Sequence, residues 1–109
     1  MNTAKSLRDA ATKEQQKALA ERKNADLHRD KANSFHMNDD PKLPMNENMM
    51  AQKASETASQ HDLAANDMIR QAAELEAKAL VKERQKQEKI ATMQNEIDKL
   101  DAEAKALRG

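Results

Sequence analysis

Alanine recurs at every seventh position on both sides of a short segment that contains the two prolines of the chain. A seven-residue period returns a side chain to one face of a gently supercoiled helix, so each series predicts a long helix with a small-residue seam. The two series are mirror images about the proline segment, which predicts an antiparallel hairpin with Ala25 facing Ala58 to within a residue or two. The predicted seam comprises Ala4, Leu7, Ala11, Ala18, Ala25, Ala32, Ala51, Ala58, Ala65, Met68, Ala72, Leu75 and Ala79.

The positions three residues after each alanine form a companion row in each predicted helix. This row is apolar nearly throughout the second helix, whereas Glu14, Glu21 and His28 occupy its middle in the first. His61 is the polar member of the second row, and the mirror alignment places it level with Glu21. We therefore expect His61 to pair with Glu21, and His61, Glu14 and Glu21 to form a polar layer that sets the register of the helices.

Residues 36–48 hold both prolines and a cluster of Asn and Asp, which are turn-forming residues. This segment is therefore predicted to be the loop of the hairpin. Because Pro disfavours helix at the residue before it, Asp40 and Leu43 are expected to be extended. Asn46 or Asn48 is expected to cap the helix that follows.

A polar run over residues 82–89 follows the second alanine series and consists of good helix formers, so the helix is expected to continue through it. Apolar residues then recur at alternating spacings of three and four. An unpaired amphipathic helix is marginally stable in water, so this stripe predicts an oligomerisation or docking surface. We call it the C-terminal stripe, and it comprises Ile90, Met93, Ile97, Leu100, Ala104 and Leu107.

Composition supports the same fold class. Aromatic residues make up 1% of the chain and charged residues 35%, with one Gly and two Pro, a composition typical of long helices and coiled coils. The predicted fold is an elongated, oligomeric all-α protein built on a long antiparallel hairpin, an alanine-heptad coiled coil with an extended C-terminal helix. Its predicted segments are helix one over 1–35, the loop over 36–48, helix two over 49–81 and the continuation of helix two over 82–109.

Charge is segregated along the chain although its total is zero. Residues 1–35 carry eight basic and five acidic side chains, and residues 36–80 carry four basic and eight acidic ones. A basic helix beside an acidic one helps to select the antiparallel orientation of the two helices. It adds little stability, because exposed ion pairs each contribute only about 0–1 kcal/mol.

Catalysis is not expected from this sequence. The chain has no Cys and no Gly-rich phosphate loop, and residues two apart on a helix, such as Ser59 and His61, point in different directions. Neither a catalytic residue nor a cofactor or metal ligand is therefore assigned.

Two alternatives to a purely structural role stay open. The run over 82–89 could contact nucleic-acid phosphates through Lys82, Arg84, Lys86 and Lys89. Thioether and imidazole groups near the loop could bind Cu(I), since both are ligands for that ion. The side chains concerned are His36, Met37, Met45, Met49 and Met50.

The sequence thus predicts a non-enzymatic scaffold, strut or adaptor that works through helix–helix contacts with itself or with another protein, with a virion component among the settings that fit. The first residues lack the apolar run of a signal peptide, and no stretch approaches the roughly 20 apolar residues that span a bilayer. A cytoplasmic or virion-associated location without membrane insertion is therefore expected.

Overall fold

Two α-helices make up almost all of the chain. The computed structural model describes residues 2–109, in which α1 spans Ala4–Asn33 and α2 spans Lys42–Arg108. No strand occurs among these residues, and polar contacts join α1 to the first half of α2. The predicted all-α helical hairpin is therefore confirmed.

Side-chain hydrogen bonds define both ends of α1. Thr3 Oγ1 accepts from the Ser6 backbone N–H at 3.0 Å, and Ser6 Oγ accepts from the Thr3 N–H at 2.9 Å. This reciprocal capping box satisfies amides that the first turn of a helix leaves without partners. At the other end, the Ser34 N–H and hydroxyl both donate to the Lys31 carbonyl, so the helix ends two residues before the predicted residue 35.

Helix α2 begins at Lys42, within the segment that was predicted to be loop up to residue 48. The prediction of extended backbone at Leu43 was wrong because Pro44 lies in the first turn, where a missing N–H costs no helical hydrogen bond. Asp40 accepts at this start, through its side chain from the Lys42 N–H at 3.0 Å and through its carbonyl from the Leu43 N–H at 3.0 Å. The predicted caps, Asn46 and Asn48, lie inside the helix instead.

The chain divides into two compact units. The first ends at Ala73 and contains α1 with the first part of α2, and the second runs from Glu74 to Gly109. All buried residues that the structure describes belong to the first unit, and they are one Leu and nine Ala. The second unit is the C-terminal part of α2, and its residues are exposed at every position from 76 to 103. No helix within residues 2–109 has the length and apolar character needed to cross a bilayer.

Candidate functional site

The alanine seam forms the core of the first unit. Ala18, Ala58 and Ala72 are each 0% exposed, so their methyl groups are fully shielded from solvent between the two helices. Small side chains let two helix backbones approach closely. The buried seam residues are Leu7, Ala11, Ala18, Ala25, Ala32, Ala51, Ala54, Ala58, Ala65 and Ala72.

The remaining predicted seam residues are less enclosed. Ala4, Met68 and Leu75 are half-buried, and Ala79 is exposed in the second unit. Ala54, a companion-row residue that the predicted seam omitted, is 6% exposed and belongs to the core.

The register of the hairpin differs from the predicted mirror alignment. Ala25 forms a buried cluster with Ala51 and Ala54, whereas the mirror alignment set it opposite Ala58. Ala25 therefore lies between the successive seam alanines Ala51 and Ala58, about half a heptad from the predicted pairing. The mirror alignment sets Ala79, the last member of the second alanine series, opposite Ala4, and the shift of register removes that pairing.

Two Glu–His pairs join the helices beside the alanine series, in the companion rows. His61 Nδ1 lies 2.5 Å from Glu14 Oε2, and His28 Nδ1 lies 2.5 Å from Glu47 Oε2. All four side chains are between 18% and 27% exposed. The predicted pairing of His61 with Glu21 was wrong, because the shifted register lets His61 contact Glu14, the other carboxylate of the predicted polar layer.

The two Glu–His pairs have opposite arrangements: α1 supplies the Glu of one pair and the His of the other. Glu14 and His28 are two heptads apart on α1, as are Glu47 and His61 on α2, so each helix contributes one carboxylate and one imidazole. Because a carboxylate only accepts, each contact needs a proton on His Nδ1. Sliding one helix by a heptad towards the mirror alignment would exchange Glu14 for Glu21 as the partner of His61, but it would set His28 level with Ala54. The pair of His28 with Glu47 is therefore the one that distinguishes the observed register.

Polar contacts also line one edge of the hairpin. The Arg22 guanidinium donates to the Asp62 carboxylate, and Arg29 donates to Ser55 Oγ at 3.0 Å. These contacts join basic α1 positions to polar or acidic α2 positions, as the segregated charge predicts. They lie at the surface, so their main effect is on orientation rather than on stability.

The pair of Glu14 with His61 changes the pKa of the Glu14 carboxyl. Hydrogen bonds from His61 and then from Lys17 lower its pKa below the ordinary 4.5. A carboxyl with a depressed pKa in the folded state stabilises the fold above its ordinary pKa, and that contribution is lost as the pH falls through the lower folded value.

We expect the hairpin's thermal midpoint to fall more steeply in acid for the wild-type chain than for Glu14→Gln, since glutamine does not titrate. Circular dichroism melts between neutral pH and about pH 3 measure this difference. Asp67, whose pKa is also lowered by hydrogen bonds from Arg70 and then Gln71, is present in both proteins and contributes equally. Parallel pH profiles for the two proteins would contradict the assignment.

The C-terminal stripe is exposed along its length. Ile90 is 49% exposed, Met93 61%, Ile97 50%, Leu100 64% and Leu107 89%, whereas the small Ala104 is half-buried. Five large apolar side chains thus follow one another along a single helix in contact with water. Contiguous exposed apolar surface is typical of interaction sites, so the C-terminal stripe is the candidate site of this protein.

The residues behind the two alternative functions are also at the surface. Lys82, Arg84, Lys86 and Lys89 are exposed, and Lys86 Nζ lies 4.0 Å from Glu83 Oε1. His36 is exposed, as are all four methionines near the loop. Within residues 2–109, no three His, Cys, Asp or Glu side chains are grouped as metal ligands would be.

No protein-family model, curated protein or solved structure matches this chain.

Proposed function

We propose that this protein is a non-enzymatic structural module that joins a larger assembly through its C-terminal helix. The hairpin is the folded, self-complementary part, held by the alanine seam and the two Glu–His pairs. The C-terminal stripe is the part that another helix covers. In this role the protein acts as a scaffold, strut or adaptor.

The exposure of the C-terminal stripe is the observation that supports this proposal. Fully burying a large aliphatic or Met side chain contributes about 1.5–3 kcal/mol, and the stripe carries five such side chains that are about half exposed or more. The spacing of three and four residues matches the row that one helix offers to another. A second helix lying along the stripe would recover burial that the single helix does not provide.

Methionine oxidation gives an internal test, because Met93 lies in the stripe and Met37 lies in the loop, where it is 103% exposed. We expect brief peroxide treatment to oxidise Met93 much more slowly in the native assembly than in the dilute purified chain. Met37 should oxidise at the same rate in both. Peptide mass spectrometry measures the two sulfoxides. Equal oxidation of Met93 in the assembly and in the dilute chain would contradict the proposal.

A further inference from the structure

The stripe residues occupy two alternating positions of a heptad. Ile90, Ile97 and Ala104 share the first position, and Met93, Leu100 and Leu107 share the fourth. In parallel coiled coils, β-branched residues at the first position with Leu at the fourth favour two strands. The stripe has Ile at two of its first positions and Leu at two of its fourth positions.

We propose that the helix covering the stripe belongs to a second copy of this chain, aligned parallel and in register. The inference rests on the proposed function and names its partner. In this arrangement Ile97 packs against Ile97 of the second copy, and Leu100 against Leu100 of the second copy. All the large apolar side chains of residues 90–107 then lie in one continuous interface.

The charges that flank the stripe balance in the parallel arrangement, with one attractive, one neutral and one repulsive combination. In a parallel dimer, the residue before each first position faces the residue after the next fourth position of the other helix. Glu103 therefore meets Arg108 of the second copy, twice by symmetry, and Lys89 meets the neutral Gln94. Glu96 meets Asp101, which is the one unfavourable combination of the three.

The antiparallel alternative with full overlap of the stripe sets Ile97 against Leu100 of the second copy. It brings Glu96 opposite Glu103 twice by symmetry and offers no opposite-charge pair in exchange. An antiparallel alignment shifted by one heptad pairs Lys89 with Glu103, but it places Leu107 against a charged residue of the polar run. The parallel alignment alone combines full apolar overlap with opposite charges at its edge.

The polar run sets the N-terminal limit of this interface. Continuing the heptad backwards puts Glu83 at a first position and Lys86 at a fourth, and these two residues contact each other along their own helix. In a parallel dimer each would face its own copy, so like charges would meet. The proposed contact between the two copies accordingly begins at Ile90.

The chain contains no cysteine, so single substitutions can report the alignment. Leu100→Cys and Leu107→Cys place a thiol at fourth positions, Ile97→Cys places one at a first position, and Asn95→Cys on the opposite face is the control. Under mild oxidation of the full chain we expect Leu100→Cys alone and Leu107→Cys alone to convert mostly to a product of twice the 12.2 kDa chain mass. Asn95→Cys should stay monomeric on a denaturing gel.

The antiparallel alternative predicts a different pattern. An equal mixture of Ile97→Cys and Leu100→Cys would then cross-link, whereas Leu100→Cys alone would not, and this result would overturn the proposed alignment. A 12.2 kDa wild-type mass at every concentration, without cross-linking of either Leu variant, would overturn the second copy as partner. Protection of Met93 in the native assembly would then show that the proposed function holds with a different partner.

Discussion

Ala18→Leu is expected to lower the thermal midpoint of the hairpin strongly, whereas Ala20→Leu leaves it nearly unchanged. Ala18 is 0% exposed in the seam between the two helices, so we expect the added carbon atoms to force the two backbones apart. Overpacking of this kind costs about 1–3 kcal/mol. In a core built from alanines and one leucine, that loss is a large fraction of the stability available.

Ala20 gives a matched control because the same substitution is made two residues away, at an exposed position of the same helix. Alanine and leucine have similar helix propensities, so exposure is the variable that differs. Urea titrations followed by circular dichroism give the free energy of unfolding for both variants. Equal stability of the two variants would show that α1 and α2 do not pack through the alanine seam.

The sequence was sufficient to predict the hairpin because its signals are local and periodic. Three signals indicate an antiparallel helical hairpin. Alanine recurs at every seventh position, a proline segment separates two helix-forming stretches, and the composition is poor in strand-forming residues. Burial of Ala11, Ala18 and Ala58 follows from the period alone. The loop was predicted too long because Pro41 and Pro44 were both treated as helix breakers, although a proline is compatible with the first turn of a helix.

The register could not be read from the alanine period. Such a period is compatible with alanines that face one another and with alanines that alternate, and the structure shows the alternating form around Ala25. The pair of His28 with Glu47 was missed because Glu47 lay within the predicted loop. Extending the companion row of Ala54 and His61 back by one heptad reaches Glu47, and that step would have found it.

The second large effect is expected at the C-terminal stripe. The double substitution Ile97→Asp and Leu100→Asp places two carboxylates at the centre of the proposed interface. A charge that is buried without a partner costs several kcal/mol, so association through the stripe should be lost at every accessible concentration. The hairpin should stay helical, because all of its buried residues lie in the first unit.

A matched control adds the same charges elsewhere. Asn95→Asp with Ala102→Asp introduces two carboxylates one heptad apart on the opposite face of the helix, where both residues are exposed. This variant changes net charge equally and leaves the stripe intact. Its association should equal that of the wild-type chain.

Sedimentation equilibrium of these three proteins tests the role of the C-terminal stripe most directly. We expect the wild-type chain and the Asn95/Ala102 control to sediment at twice 12.2 kDa and the Ile97/Leu100 variant to sediment at 12.2 kDa. If the Ile97/Leu100 variant keeps the wild-type mass at every concentration and still enters the native assembly, the C-terminal stripe is not the interface.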